Sequence, residues 1–474
     1  MRTITSEILV AYSQCYRKAF LLSCTDERGL QHDYVRVLEQ RRKANLIRYT
    51  GVLTQQNNDI KPYTVIDLDK GNDVLTEAIL KVEGMEAYCD ILRKTGYDST
   101  TSRYIYEPTI VVGTYGISKE QKLDLLFAGY ALGEIQGTVP LSGSLVGMGG
   151  QVHKLKLGNG RKALRPLIDP LSKWLTAPPS NPPQVILCKH CSYCQFRHLC
   201  QDKAEKDDDL SLLDRMTPKL IKRYHDKGIF TVKQLSFLYK PRKNRKQKKK
   251  TVALHKLELQ ALAIRTGKIY IQELPELPRN QVELFLDIEG IPDQNFYYLL
   301  GLLVCDGDNR SYHFFWANTP QDEAQIWCQL LEKMGEYPEV PIYHYGSYEP
   351  KAIRQMAKRY QADYEGLKKR LVNLNGYIYG KVYFPVKSNS LKGIGNFIGA
   401  SWASPDASGL QSLVWRHHWE ETQETEYKQL LIAYNQEDCI ATKLLADELR
   451  RICNAADSHP DIDFADQPKQ VVSL

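Results

Sequence analysis

The chain is predicted to be α/β: two α/β units with a helical segment between them and a short tail. Three observations predict this. Strand-like apolar runs alternate with helix-like periodic segments over residues 1–205, and do so again over 276–455. The intervening 206–275 is more polar and reads as mainly helical. A length of 474 residues suits two or three domains.

The elements follow in order. Thr5 or Ser6 can cap a first amphipathic helix, whose Ile8, Leu9, Tyr12 and Tyr16 recur at helical spacing through Cys15. YIYEPTIVVGTY (104–115) is strand-like, KEQKLDLLFAGYALGEIQG (119–137) helical, and the Gly-rich LSGSLVGMGGQVHKLKL (141–157) a hairpin. A Pro-rich break, TAPPSNPPQ (176–184), precedes a cysteine cluster. Residues 213–239 read as helix, turn at KGIFT, helix, an arrangement similar to the helix–hairpin–helix that grips nucleic-acid backbones. Then come strands at ELFLDIEG, YYLLGLLVCDG and SYHFFWA, a helix over 321–335, a strand at VPIYHYG (340–346), and a helix over 350–360 with Pro350 in its first turn. A last helix is expected over about 425–450, and an acidic tail after 455.

Composition excludes some classes. The chain is 43% hydrophobic and 25% charged, as in soluble globular proteins. No run of 18 apolar residues is present, so no membrane span is expected. MRTITSEILVAYSQC lacks the basic-then-apolar layout of a secretory signal, and the expected location is cytoplasmic. Net charge is +7, yet Lys240, Arg242, Lys243, Arg245, Lys246, Lys248, Lys249 and Lys250 fall in one acid-free run, KPRKNRKQKKK. The remainder is therefore near neutral. Such a strap fits phosphate contacts, and it also fits a solvated loop.

LFLDIEGIP (284–292) raises a sharper question, because it sets two acids in an apolar strand. Asp287 and Glu289 are two apart and project from one face, with Phe285 behind them. Buried together they repel, and a divalent ion would remove that conflict. Solvated edge acids, or acids paired to Arg, would remove it too. Further acids lie in HYGSYEP, where Glu349 sits just before Pro350, and in YNQEDCIATKLL, where Tyr434 and Asp438 are four apart on one helix face.

Taken in that order, the three stretches resemble the motifs of the DEDD-type 3′–5′ exonucleases of the RNase H-like fold. Within that superfamily the stretch 276–455 is most similar to the YprB-like domain, a resemblance supported by VYFPVKSNSLKGIGNFIG (382–399). Two departures stand out: Glu349 replaces the usual Asp, and Asn373 in RLVNL occupies a position where an acid is usual. The resemblance implies two Mg²⁺ or Mn²⁺ ions, held by Asp287, Glu289, Glu349 and Asp438 with Asp287 bridging. Tyr434, or Lys392, would orient the water, and Lys392 is also a candidate nucleic-acid contact. Oxygen ligands suit these ions rather than zinc.

CKHCSYCQFRHLC places Cys188, Cys191, Cys194 and Cys200 together, and clustered cysteines in a cytoplasmic chain suggest metal. A zinc knuckle could draw on them with His190 or His198. Cys15 near the domain start, with Cys-x2-Cys-x5-Cys at its end, instead resembles the iron–sulfur staple of RecB-like nucleases. That resemblance implies a 4Fe–4S cluster on Cys15, Cys191, Cys194 and Cys200, with Zn²⁺ as the alternative, Cys24 as a second candidate for the distant ligand, and Cys188 as a spare or alternative ligand. The RecB-like domain is restriction-endonuclease-like, of PD-(D/E)XK type. Its nuclease motifs look degraded here: Asp90 and Glu107 are the candidate acids, but Thr109 stands where an acid-x-Lys pattern would run, and only Tyr130 suits the later motif.

The whole layout resembles a bacterial family of RecB-like nucleases: a RecB-like domain over 1–205, a helical middle with the strap over 206–275, an RNase H-like domain over 276–455 and a tail over 456–474. It implies a metal-dependent exonuclease on DNA or RNA, with a role in DNA repair and a helicase as a candidate protein partner. The alternative is a nucleic-acid-binding scaffold whose two sites have decayed. A zinc-stapled adaptor is a third.

Overall fold

The structure, a computed structural model, describes residues 3–56, 58–99, 102–241, 254–455 and 458–466. It divides into two compact units, Met1–Gln201 and Asp202–Leu474.

The first unit is built on a mixed sheet. Its strands are β1 (Ile4–Thr5), β2 (Ile60–Pro62), β3 (Val74–Val82), β4 (Met85–Asp98), β5 (Arg103–Val111), β6 (Ser142–Val146) and β7 (Val152–Lys156). They run in the order β2-β3-β4-β5-β6-β7, with β1 parallel to β4. The helix Lys119–Gln136 makes the crossover between the parallel strands β5 and β6. Ser118 and Gln121 form its capping box, and left-handed Gly137 ends it. Its Leu125, Ala128, Ala131 and Leu132 pack on Leu75, Ala87, Cys89 and Leu145 of the sheet.

At the N-terminus the structure differs from the single helix expected. Two helices form, Ser6–Gln14 and Tyr16–Cys24, because Cys15 takes an extended backbone (φ −157°, ψ 109°). Thr5 caps the first, and the Cys15 sulfur caps the second by accepting from the Lys18 amide at 3.4 Å. A long helix, Asp33–Gln55, was not legible in the periodicity, since only Val37, Asn45 and Leu53 of its residues are buried.

The second unit contains the helical middle and the C-terminal sheet. In the middle, Pro218–His225 and Val232–Ser236 flank a turn at Gly228, whose φ of +75° favours glycine. Further strands are β8 (Ile269–Ile271), β9 (Val282–Ile291), β10 (Phe296–Asp306), β11 (Asn309–Trp316), β12 (Ile342–His344), β13 (Leu371–Asn373), β14 (Val382–Tyr383) and β15 (Ile462–Phe464). The main sheet has the order β11-β10-β9-β12-β13. β9, β10 and β11 form an antiparallel meander, while β12 and β13 add in parallel. A small sheet, β14-β8-β15, lies in the same unit.

The two faces of β9 meet different helices. Leu284, Leu286 and Ile288 pack with Trp327, Leu330 and Met334 of helix Glu323–Gly335 and with Ile353 and Met356 of helix Tyr348–Arg359. Phe285 faces the other way, among Cys439, Leu445 and Leu449 of helix Thr425–Ala455. Asp287 and Glu289 share the parity of Phe285, so they point toward that long helix. Each buried Leu, Ile or Phe contributes roughly 1.5–3 kcal/mol. The apolar members of β9 can therefore offset the several kcal/mol, roughly, that desolvating its acids costs.

Candidate metal centres

Ligand atoms of Asp287, Glu289 and Asp438 all lie within 4.8 Å of one another. Two come from adjacent same-face positions on β9, and the third from helix Thr425–Ala455 crossing that face. Glu289 is buried, and Asp287 and Asp438 are half-buried. Glu349 lies close enough for its charge to raise the pKa of the other three. It stands in the first turn of helix Tyr348–Arg359, which begins two residues earlier than the sequence suggested. Pro350 is tolerated there because first-turn amides have no intrahelical partner.

Hydrogen bonds orient each acid. Asn435 donates its side-chain amide to Oδ2 of Asp287 at 2.6 Å and to its backbone carbonyl at 3.2 Å. Ser412 Oγ donates to Glu289 Oε2 at 2.8 Å. Trp402 Nε1 donates to Asp438 Oδ1 at 2.8 Å, and the Tyr434 hydroxyl also bonds to this carboxylate. Glu349 Oε2 is buried with no hydrogen bond among the described residues; buried His344 approaches it only to 3.5 Å.

Burial and mutual repulsion set the electrostatics. Burial first, then the Asp438, Glu289 and Glu349 charges, hold the Asp287 carboxyl well above its usual range. Burial and the Asp438 charge push Glu289 up to about 8, against the bond from Ser412. Burial pushes Asp438 up to about 6, opposed by the bonds from Trp402 and Tyr434. Burial also raises the Tyr434 and Tyr348 phenols, and the acids add to it. Converging carboxylates, one orphaned carboxylate oxygen and raised pKa values fit a hard divalent cation, which would neutralise what the protein alone leaves repulsive.

Two residues singled out in the sequence are tied to the protein itself. Lys392 Nζ donates to the Ala407 carbonyl at 2.7 Å and stands 5.6 Å from the Trp402 ring centroid. Asn373 Oδ1 accepts from the amides of Gly346 at 3.1 Å and Asn375 at 3.0 Å, just ahead of Glu349. Sequence reasoning missed Asn435, Ser412, Trp402 and Tyr348. The position of Asn435, between Tyr434 and Asp438 in YNQED, was a usable signal. Ser412 lies in a helix, Gly409–Thr422, that carried none.

In the N-terminal unit, Cys15, Cys188, Cys191, Cys194 and Cys200 line one pocket with Arg17, Lys18 and His190. Cys188 and Cys191 sulfurs are 4.0 Å apart, and the Cys188 amide donates to the Cys191 sulfur at 3.3 Å. The Cys191 thiol holds Cys188 down at about 6, while its own pKa rises in return. Arg17 is buried, bonds to Cys200, and leaves Nε without a hydrogen bond among the described residues. Five thiols around a buried cation fit an anionic thiolate-bound metal group. Cys24 is not among the pocket's lining residues and bonds to Ser23 Oγ at 3.3 Å.

The candidate acids of the first unit do not converge. Asp90 accepts from Arg42 at 2.6 Å and from the Val111 amide at 2.7 Å. Glu107 lies opposite Arg93 in the β4–β5 register, and its Oε1 accepts from Ser142 Oγ at 2.8 Å. Tyr130 is half-buried on helix Lys119–Gln136. Lys240 is exposed, whereas Arg242, Lys243, Arg245, Lys246, Lys248, Lys249 and Lys250 lie outside the described residues.

Strand order β11-β10-β9-β12-β13, with acids on the central strand and a helix bringing another, defines an RNase H-like domain in the C-terminal unit. In particular, residues 284–450 match the RNase_H_2 family model, described as RNase_H superfamily. Comparison with curated proteins gives no match. No helix among the described residues is long and apolar enough to cross a membrane.

Proposed function

We propose that the chain is a metal-dependent nuclease acting as a 3′–5′ exonuclease on DNA or RNA, with its site at Asp287, Glu289, Glu349 and Asp438. The observation that carries this is the mutual approach of the Asp287, Glu289 and Asp438 ligand atoms within 4.8 Å, in a stretch matching the RNase H superfamily. Mg²⁺ or Mn²⁺ held there would activate a water and stabilise the leaving oxygen of a phosphodiester. The chain's own residues supply the rest. Asn435, Ser412 and Trp402 fix the carboxylates, and Tyr434 orients the attacking water from beside Asp438. The strap, Lys240 included, contacts phosphates, which makes binding strongly salt-dependent.

The N-terminal unit is read as RecB-like, holding a 4Fe–4S cluster on Cys15, Cys191, Cys194 and Cys200 and gripping nucleic acid without cutting it. Support for the cluster over zinc comes from sulfur spacing. A tetrahedral zinc with Zn–S of about 2.3 Å sets its ligand sulfurs roughly 3.8 Å apart. Among the described residues, only the three carboxylates form a group of three or more within 4.8 Å. Support for the absence of cutting comes from Asp90 and Glu107, whose carboxylates are engaged by Arg42 and Ser142.

The test incubates anaerobically purified protein with 3′- and 5′-labelled single-stranded DNA and RNA and Mn²⁺ or Mg²⁺, beside Asp287→Ala and Asp438→Ala. Shortening from the 3′ end that needs metal and is lost in both variants supports the proposal. Equal cutting by the variants moves the activity elsewhere. Binding without any cutting favours the scaffold.

A further inference from the structure

The cysteine pocket holds one thiol more than a four-ligand cluster needs. The surplus lies in one place. Cys188 caps the short 3-10 turn Lys189–Tyr193, Cys191 lies within it, and their sulfurs are 4.0 Å apart. Cys15, Cys194 and Cys200 have no thiol hydrogen-bonded to them among the described residues. Both members of the pair are half-buried and line the pocket, and both are within electrostatic reach of Cys15: Cys15 feels the charge of Cys188, and Cys191 feels that of Cys15.

We propose that Cys188 and Cys191 are alternative ligands for one and the same iron of the cluster, so that either suffices. This rests on the reading of the pocket as an iron–sulfur site. In a cubane each terminal thiolate points outward from its own corner, and neighbouring thiolates stand well apart. Two sulfurs in hydrogen-bonding contact therefore cannot serve two corners at once. They can serve one corner in turn. The Fe–S bond to Cys191 breaks as the bond to Cys188 forms, and the thiol proton of Cys188 passes to the released Cys191 thiolate. Iron and sulfur keep their oxidation states, so no oxidant or reductant is required. The thiol not bound to iron donates a hydrogen bond to the bound one across the same contact, which keeps it from being an unsatisfied group in a half-buried pocket.

The turn makes the exchange geometrically short. Cys188-x2-Cys191 and Cys191-x2-Cys194 overlap, and the Cys188 amide already donates to the Cys191 sulfur at 3.3 Å. Buried Arg17, bonded to Cys200, supplies a positive charge that is indifferent to which of the two thiolates is in place.

The experiment compares full-length wild type, Cys188→Ala, Cys191→Ala, Cys194→Ala and the Cys188→Ala/Cys191→Ala double variant, all purified anaerobically. Iron and acid-labile sulfide per chain, visible absorbance and the EPR spectrum of the reduced protein are read for each. Both single variants of the pair should retain most of the wild-type iron, while Cys194→Ala and the double variant lose it. If Cys191→Ala loses iron as completely as Cys194→Ala, Cys188 is not a ligand and the proposal falls, with the iron–sulfur reading intact. Wild type that carries zinc or no iron overturns the underlying reading instead. Brief alkylation of native wild type, followed by peptide mapping, gives a check that needs no variant to fold. Label should divide between Cys188 and Cys191 and spare Cys15, Cys194 and Cys200; label confined to Cys188 overturns the exchange.

Discussion

Asn435 holds Asp287 at two points, its amide donating to Oδ2 at 2.6 Å and to the backbone carbonyl at 3.2 Å. Asn435 is itself fully buried, and its Oδ1 accepts from the Tyr312 hydroxyl at 2.8 Å. Room for it depends on Gly301, the β10 partner of Asp287, where an added Cβ would come within 1.6 Å of Asn435 Oδ1. Partners that orient metal ligands are commonly worth 10–100-fold, roughly, in affinity or activity. Asn435→Leu is thus expected to weaken Mn²⁺ binding by about that factor, read by titration calorimetry. Gly301→Ala should reproduce the defect by displacing Asn435, without removing any polar group. Unchanged Mn²⁺ affinity in both variants would show that Asp287 needs no such support.

The carboxylate cluster predicts how stability follows pH. Burial and neighbouring charge push Glu289 up to about 8 and Asp438 up to about 6. Unfolded carboxyls titrate near 4, roughly. A folded-state pKa above the unfolded one means that the folded chain binds the proton more tightly. That contribution is complete below about pH 4 and is lost as pH rises through about 6 and then about 8. Metal-free protein should therefore melt several degrees lower, roughly, near pH 8.5 than near pH 5.5. Mg²⁺ or Mn²⁺ should restore more of the melting temperature at the higher pH. Asp287→Asn removes one of the repelling charges, so it should raise the metal-free melting temperature near pH 8.5, to about the value without repulsion, while abolishing cleavage. Scanning calorimetry across that pH range decides; a flat profile contradicts the account.

Some of this was legible in the sequence for a simple reason. A strand's period of two told that Asp287 and Glu289 share a face, and a helix's period near four told the same of Tyr434 and Asp438. Both facts are local. What was illegible is whatever depends on which elements meet. Ser412 reaches Glu289 from 123 residues away, and Trp402 reaches Asp438 from 36. Neither residue type announces such a role. At Cys15, local pattern misled: apolar spacing ran through it, but its extended backbone splits the helix and turns its thiol toward the Lys18 amide. Asp33–Gln55 was missed because so little of it is buried that no apolar stripe marks it.

Lys392 makes a separate test, because a lysine in the same RNase H-like domain as the proposed nuclease site invites a phosphate role. Its ammonium instead donates to the Ala407 carbonyl and covers Trp402, whose indole N–H donates to Asp438. A lysine that acts through Trp402 is a positioning residue. Lys392→Met keeps the stem over the ring and removes the ammonium. It should lower kcat several-fold, roughly, with little change in the salt dependence of nucleic-acid binding. A phosphate-contacting lysine would give the reverse, a shallower salt slope by about one ion and nearly unchanged kcat. Trp402→Phe, which keeps an aromatic ring but loses the indole N–H and part of the ring, should lower kcat at least as much as Lys392→Met.

Asn373 occupies the position where the sequence resemblance leads one to expect an acid, and its geometry says what the position requires. Oδ1 accepts from the amides of Gly346 and Asn375. Gly346 has φ of +101° and lies three residues ahead of Glu349. The side chain therefore acts as an acceptor that pins a left-handed turn, and through it the first turn of helix Tyr348–Arg359. Either carboxylate or amide oxygen can do this, and the NH₂ of Asn373 takes no part in either bond. Replacing Asn by Asp keeps the acceptor, so Asn373→Asp should retain wild-type cleavage within about twofold if Asn373 only positions the turn. Asn373→Ala leaves two turn amides without their acceptor, a loss of about 1–3 kcal/mol where they are buried. It should lower melting temperature and cleavage together, because Glu349 then loses its fixed approach to the other acids. If Asn373→Asp instead raises cleavage tenfold or more, the position is one that needs a charge, and the wild-type chain is an attenuated enzyme rather than one whose turn is held by an amide.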